Sequence, residues 1–190
     1  MENAFQKIQQ NEVISSWKDT ISGPIKEEFL DFIKVPTYGC LTDKREYRFS
    51  RNPDIVADNI WRIGGERGWY YATWLWGFRG FLDQVFGGVG LRRGRRDSYS
   101  LKSGDALDFW RVLKADKKKR NLLLYAEMKL PGDAWLEFNI DEDNKGYVLK
   151  QTATFRPNGL LGRAYWYSVL PFHAFIFPGM AKSIINYNET

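Results

Sequence analysis

"AYWYSVLPFHAFIFPGMA", residues 164–181, runs for eighteen positions without a single Lys, Arg, Asp or Glu. A chain that long and that uncharged is either a membrane span or the buried helix of a folded domain. A span needs about twenty mostly apolar residues, and here Tyr165, Tyr167, Ser168, Pro171, His173 and Pro178 dilute the run. Over 160–186, Trp166, Leu170, His173, Phe177, Met180 and Ile184 step by four, three, four, three and four. Those positions form one apolar stripe of a helix. The spacing predicts a long closing helix packed against other elements, with no transmembrane segment, kinked at Pro171 and Pro178.

What it packs against stands immediately upstream. From residue 105 the period shortens, and "DALDFWRVL", "LLLYAEMKL", "AWLEFNI" and "YVLKQTATF" are strand-length runs. Turn chemistry separates them: "KADKKKRN", "PGD" and "DEDNKG", with "RPNG" after the last. This is an antiparallel meander. Further back, "REYRFS" (45–50) alternates, with Tyr47 and Phe49 on one side. "RNPDIVADNIWRIGG" carries a helix start at Asn52-Pro53-Asp54 and a stop at Gly64-Gly65. Trp74, Phe78, Phe81 and Val85 give a second helix ended by glycines. Strand, two helices, meander and closing helix make an α+β architecture. A curved sheet wraps a long helix, and the natural ligand site lies between them.

The chain has 190 residues, which suits one domain with a full core, and carries eight Trp, ten Tyr and thirteen Phe. Its net charge of +5, with 28 Lys and Arg against 23 acids, lets most cations find an internal partner, so no nucleic-acid partner is expected. The single cysteine, Cys40, excludes an intrachain disulfide and fits a reducing compartment. "MENAFQKIQQNEV" has no apolar core of a signal peptide, and a cytoplasmic location is expected.

The motifs "GWYY", "LWGFRGFLD", "GGVGLRRGRR", "GDALDFWRV", "LLLYAEMKLPGDAWLEF", "LKQTATFRPNGLLGRAYWYSVLPFH" and "FPGM" occur in that order. Together they resemble a family of unknown function found as the C-terminal part of bacterial short-chain-dehydrogenase-like proteins. The resemblance covers about 36–186. It implies a START-like, helix-grip fold over 36–190, preceded by a helical lead-in or linker over 1–35. It also implies an apolar or aromatic small-molecule ligand held between sheet and C-terminal helix. The Rossmann half of the fused relatives is missing from these residues. The nearest G-x-G-x-x-G match, Gly88 to Arg93, ends in arginine, so no nicotinamide cofactor is expected.

Candidate chemistry is sparse. His173, the only histidine, lies on the apolar stripe, as a ligand contact, a general acid or base, or a buried neutral imidazole. Ser168 is five positions earlier and faces elsewhere. One His and one Cys are too few for zinc. "DEDNKG" places Lys145 where a calcium ligand belongs and reads as a hairpin turn. Gln151 shares a strand face with Leu149, Ala153 and Phe155, so it projects inward and needs a partner. Asp108 beside Trp110 is a similar case. Glu127, Lys129, Trp135 and Glu137 are expected on a polar outer face.

"GLRRGRR" (90–96) has two explanations: internal pairing with Asp83, Asp97, Asp105 or Asp108, or a rim charge for an anionic group on the ligand. The expected site is therefore Trp110, Gln151, Trp166 and His173 on the wall, with Arg92 or Arg95 at the rim. The expected function is small-molecule binding without catalysis by this chain alone. Two alternatives come from other classes. One is an interaction module docking on a separate NAD(P)-binding dehydrogenase-like protein. The other is a hydrolase or isomerase using His173 with a carboxylate.

Overall fold

A computed structural model of the chain describes residues 34–77 and 95–188. The expected lead-in over 1–35, apart from its last two residues, lies outside them, as do Arg92 and most of the second helix. Six strands form one antiparallel, curved sheet: β1 (Leu41–Phe49), β2 (Ala106–Leu107), β3 (Trp110–Asp116), β4 (Asn121–Ala126), β5 (Gly132–Asp143) and β6 (Gly146–Pro157). Their spatial order is β1-β6-β5-β4-β3-β2. Strands β3 to β6 are the meander, and β1 closes the order by pairing with β6 from Leu41↔Phe155 to Phe49↔Tyr147. Helix α1 (Pro53–Trp61) follows β1, and helix α2 (Gly159–Asn186) follows β6 across the sheet. The α+β helix-grip architecture is therefore present.

Local chemistry explains the boundaries. The Asn52 side chain accepts from the Asp54 amide at 2.8 Å and Pro53 opens α1, while Val56 and Ile60 are fully buried beneath it. The run "DALDFWRVL" is not one strand. Asp108 takes a left-handed conformation (φ 54°) and breaks it into β2 and β3. Asp143 and Gly146 pair across the two-residue loop of the β5–β6 hairpin, with the Lys145 amide on the Asp143 carboxylate at 2.8 Å.

Helix α2 is continuous through both prolines. A helical proline frees the carbonyl four residues earlier. Those carbonyls belong to Tyr167 and Ala174, both exposed residues, so water can satisfy them. By length and composition the helix could cross a membrane. Instead Gly162, Trp166, Ile176, Phe177, Met180, Ala181 and Ile184 are buried in the domain, making it the core helix. A β-carbon at Gly162 would sit 2.4 Å from the Pro131 carbonyl oxygen and 2.9 Å from Pro157, so its start is pinned backbone to backbone.

The core divides along α2. Near the helix C-terminus, Met180, Ala181 and Ile184 are fully buried, with Leu122, Phe138 and Leu149 of the sheet and Val56 and Ile60 of α1 in the same core. Nearer its N-terminus the packing opens, because the inward strand positions there include Ala126, Ala134 and Ala153.

Candidate functional site

Those alanines border a hollow of about 330 Å³ between sheet and helix. Its floor is Trp110 of β3, Ala126 of β4, Ala134 and Leu136 of β5, and Ala153 and Phe155 of β6. Its roof is α2, from Tyr165 and Trp166 through Val169, Phe172 and His173 to Ile176 and Phe177. Leu75 and Trp76, from the helical turn at 73–77, close one side. Phe172 lines the hollow and is 54% exposed, so it stands at the rim. The aromatic walls are ordered. Phe155 stacks on Trp166 at 5.8 Å, Trp166 meets His173 edge-on at 5.4 Å, and His173 stacks on Phe177 at 4.5 Å.

Besides Trp135, Thr154 and Tyr165, which also line it, three polar groups interrupt this lining. The indole Nε1 atoms of Trp76 and Trp110 are buried, and neither finds an acceptor among the described residues. The neighbouring Trp69 differs: its Nε1 donates to Asp108 at 2.9 Å, and its ring stacks on Trp76 at 4.7 Å. The third group is His173, whose Nδ1 lies 3.5 Å from an Asp43 carboxylate oxygen. That distance is electrostatic contact rather than a well-formed hydrogen bond. Asp43 is held in turn by the Arg45 guanidinium, at 3.0 Å to one oxygen and 3.1 Å to the other. Both sit on the inner face of β1, and the Arg45 guanidinium carbon lies 5.8 Å from the Phe177 ring centroid.

A family model described as a protein of unknown function, DUF2867, matches residues 40–180. The chain belongs to this family. No curated protein matches it. Among solved structures, the crystal structure of Ara h 8.0201 shares 10% identity at a TM-score of 0.41, covering 78% of this chain and 100% of that one. Norcoclaurine synthase from Thalictrum flavum, in complex with dopamine and hydroxybenzaldehyde, shares 12% at 0.41, covering 80% and 88%. A solution structure from Thermobifida fusca shares 12% at 0.42, covering 80% and 98%. Likenesses this distant carry nothing about ligand or reaction. The fold of the DUF2867 chain stands on its own strand order and closing helix.

Of the wall residues expected from sequence, the DUF2867 protein brings Trp110, Trp166 and His173 to the hollow. Gln151 departs from the expectation. It does project inward, fully buried and without a partner among the described residues, but it is not part of the hollow's lining. In register it lies between Arg45 and Phe138, two residues along β6 from Ala153. Arg95 is not at the rim either. Its guanidinium donates to the carbonyls of Ile63 (2.5 Å), Ser100 (3.3 Å), Trp61 and Asp97, which ties the loop to the end of α1. Burial draws its pKa down from the ordinary arginine value. The neighbouring Arg96 makes the internal pair that the loop's carboxylates offered, bidentate to Asp105 at 2.9 and 3.0 Å.

Trp135, expected on a polar face, is 5% exposed and packs on Tyr125. Its companions behave as expected: Glu127 pairs with Arg111 at 3.0 Å, and Glu137 accepts from Asn121 at 2.7 Å. Burial pushes the Cys40 thiol up, which argues against a thiolate nucleophile. Among the described residues, no group of three or more His, Cys, Asp or Glu could hold a metal ion.

Sequence reasoning missed Asp43 and Trp76. A signal for Asp43 existed: in "LTDKREYRF" the alternation puts Asp43 and Arg45 on the side of Tyr47 and Phe49. Charges on an inward strand face need a reason. Trp76 was hidden by the choice of Trp74 as the stripe residue. Trp74 is 71% exposed and Trp76 is the buried indole.

Proposed function

We propose that this DUF2867 protein binds an apolar or aromatic small molecule between its sheet and α2. The single observation that carries this is the hollow of about 330 Å³ lined by Trp, Phe, Leu, Ile and Ala side chains. Empty apolar space of that size forfeits dispersion contacts, and a guest restores them. Ligand sites are typically concave, mostly apolar and marked by a few polar groups. An anionic group on the guest draws no support from the described lining, which contains no Lys or Arg. Native mass spectrometry of the purified protein, with titration of the neutral fluorophore N-phenyl-1-naphthylamine, tests this. A co-purifying small molecule or saturable fluorophore binding is expected, and neither being seen rejects it.

The Asp43–His173 contact supports a second reading, acid–base chemistry on the guest, since a carboxylate against one ring nitrogen orients an imidazole whose other nitrogen can exchange a proton. Its test is hydrogen–deuterium exchange at the α-carbon of 2-tetralone in heavy water, followed by NMR. Acceleration lost in His173→Phe supports it, and no acceleration by the parent protein dismisses it. Docking on a separate dehydrogenase-like subunit draws on the exposed Leu160, Leu161, Tyr167, Phe172 and Phe175 along α2. A strictly monomeric chain at high concentration counts against an adhesive face there.

A further inference from the structure

We infer that the guest is an uncharged molecule whose apolar body carries a carbonyl-type oxygen, held by the indole N–H groups of Trp76 and Trp110. The inference rests on the hollow being a ligand site and names the chemistry that site selects. Both indoles line the hollow and are 9% and 7% exposed. Both Nε1 atoms are buried without an acceptor among the described residues. A buried donor without a partner costs free energy, so nearly all of them in native proteins are satisfied. That Trp69, stacked on Trp76 and tilted against Trp110, finds Asp108 shows that the chain can supply an acceptor in this cluster.

Indole is a donor only. An ammonium group has no lone pair and cannot satisfy it, whereas a ketone, quinone or ester oxygen can. One carbonyl oxygen has two lone pairs and can accept from both donors, and two oxygens on one scaffold serve equally. Charge is selected against. A carboxylate or phosphate would enter a lining without Lys or Arg, and the nearby Arg45 guanidinium is already engaged by Asp43. The walls set the rest: Trp166, Phe155 and Phe177 offer ring faces and edges, which favour a flat, conjugated body.

Three tricyclic probes of similar shape separate the possibilities: fluorene, 9-fluorenone and fluorene-9-carboxylate, each displacing N-phenyl-1-naphthylamine from the full chain. Two neutral hydrogen bonds predict that 9-fluorenone binds at least about tenfold more tightly than fluorene. Trp76→Phe and Trp110→Phe should each shrink that ratio, each variant's 9-fluorenone affinity being read against its own fluorene affinity. The infrared carbonyl stretch of 9-fluorenone bound to the parent protein should move to lower frequency, a readout that does not depend on any variant folding. Equal affinity for fluorene and 9-fluorenone, or an unshifted carbonyl band, overturns the inference while leaving an apolar binding site in place. Tighter binding of the carboxylate overturns the uncharged guest. Binding of none of the three overturns the ligand site itself.

Discussion

Asp108 shows how one residue organises the aromatic wall. Its left-handed backbone ends β2 and starts β3, and its buried carboxylate accepts from the Trp69 indole and, at 3.4 Å, from the Gly65 amide. Trp69 stacks on Trp76, so Asp108 positions a wall residue without lining the hollow itself. Burial pushes the Asp108 carboxyl above the ordinary range, outweighing the Trp69 and Gly65 hydrogen bonds and the Arg95 charge. The sign of the consequence follows. Below about pH 3 the group is protonated in both folded and unfolded chains. As pH rises the unfolded chain ionises first, so stability falls until the folded value is passed and is level beyond it. Asp108→Asn keeps an acceptor for Trp69 and cannot ionise. Its melting temperature, measured relative to the parent, should therefore be higher at pH 7 than at pH 4. A difference independent of pH would show that the carboxyl is not raised.

At the scale of the element, α2 is held at both ends by different means. At its N-terminus Gly162 lies against the main chain at Pro131 and Pro157, where nothing can yield. Gly162→Ala should cost about 1–3 kcal/mol, the range for overpacking, in urea denaturation. At its C-terminus the last carbonyls lack helical donors. The Asn59 amide donates to the Ile184 carbonyl at 2.8 Å, and Arg51 to those of Ile185 and Tyr187 at 2.9 and 2.7 Å. Asn59 is 5% exposed, so Asn59→Ala strands a buried carbonyl and should cost about 1–3 kcal/mol. An effect below about 0.5 kcal/mol would mean that water already serves that end. The helix itself was legible in the sequence, because an uncharged stripe at helical spacing admits few structures. Its Asn59 and Arg51 caps were not. Nothing local to residues 51 and 59 says that a helix more than a hundred positions later will end beside them.

At the scale of the molecule, the meander, the closing helix and the inward faces of the strands could all be read from residue periodicity. Which strand closes the sheet could not, since β1 reaches β6 across more than ninety residues. The hollow was expected from the order of elements, but its place along α2 was not. It depends on Ala126, Ala134 and Ala153 meeting on neighbouring strands, a coincidence of register that no single strand reveals. For the same reason Gln151, two residues from Ala153, falls outside the lining. If absent side-chain volume makes the site, restoring volume should remove it. Ala153→Leu projects extra methylenes from the floor into open space, not into a packed core. Cavity filling of this kind typically adds about 0.5–2 kcal/mol of stability, so the urea midpoint of the ligand-free variant should rise. The same side chain takes the guest's place, and affinity for N-phenyl-1-naphthylamine should fall at least about tenfold. A variant that is destabilised and binds the fluorophore as before would put the fluorophore elsewhere and show Ala153 to be packed, because a filled core answers an added Leu with strain.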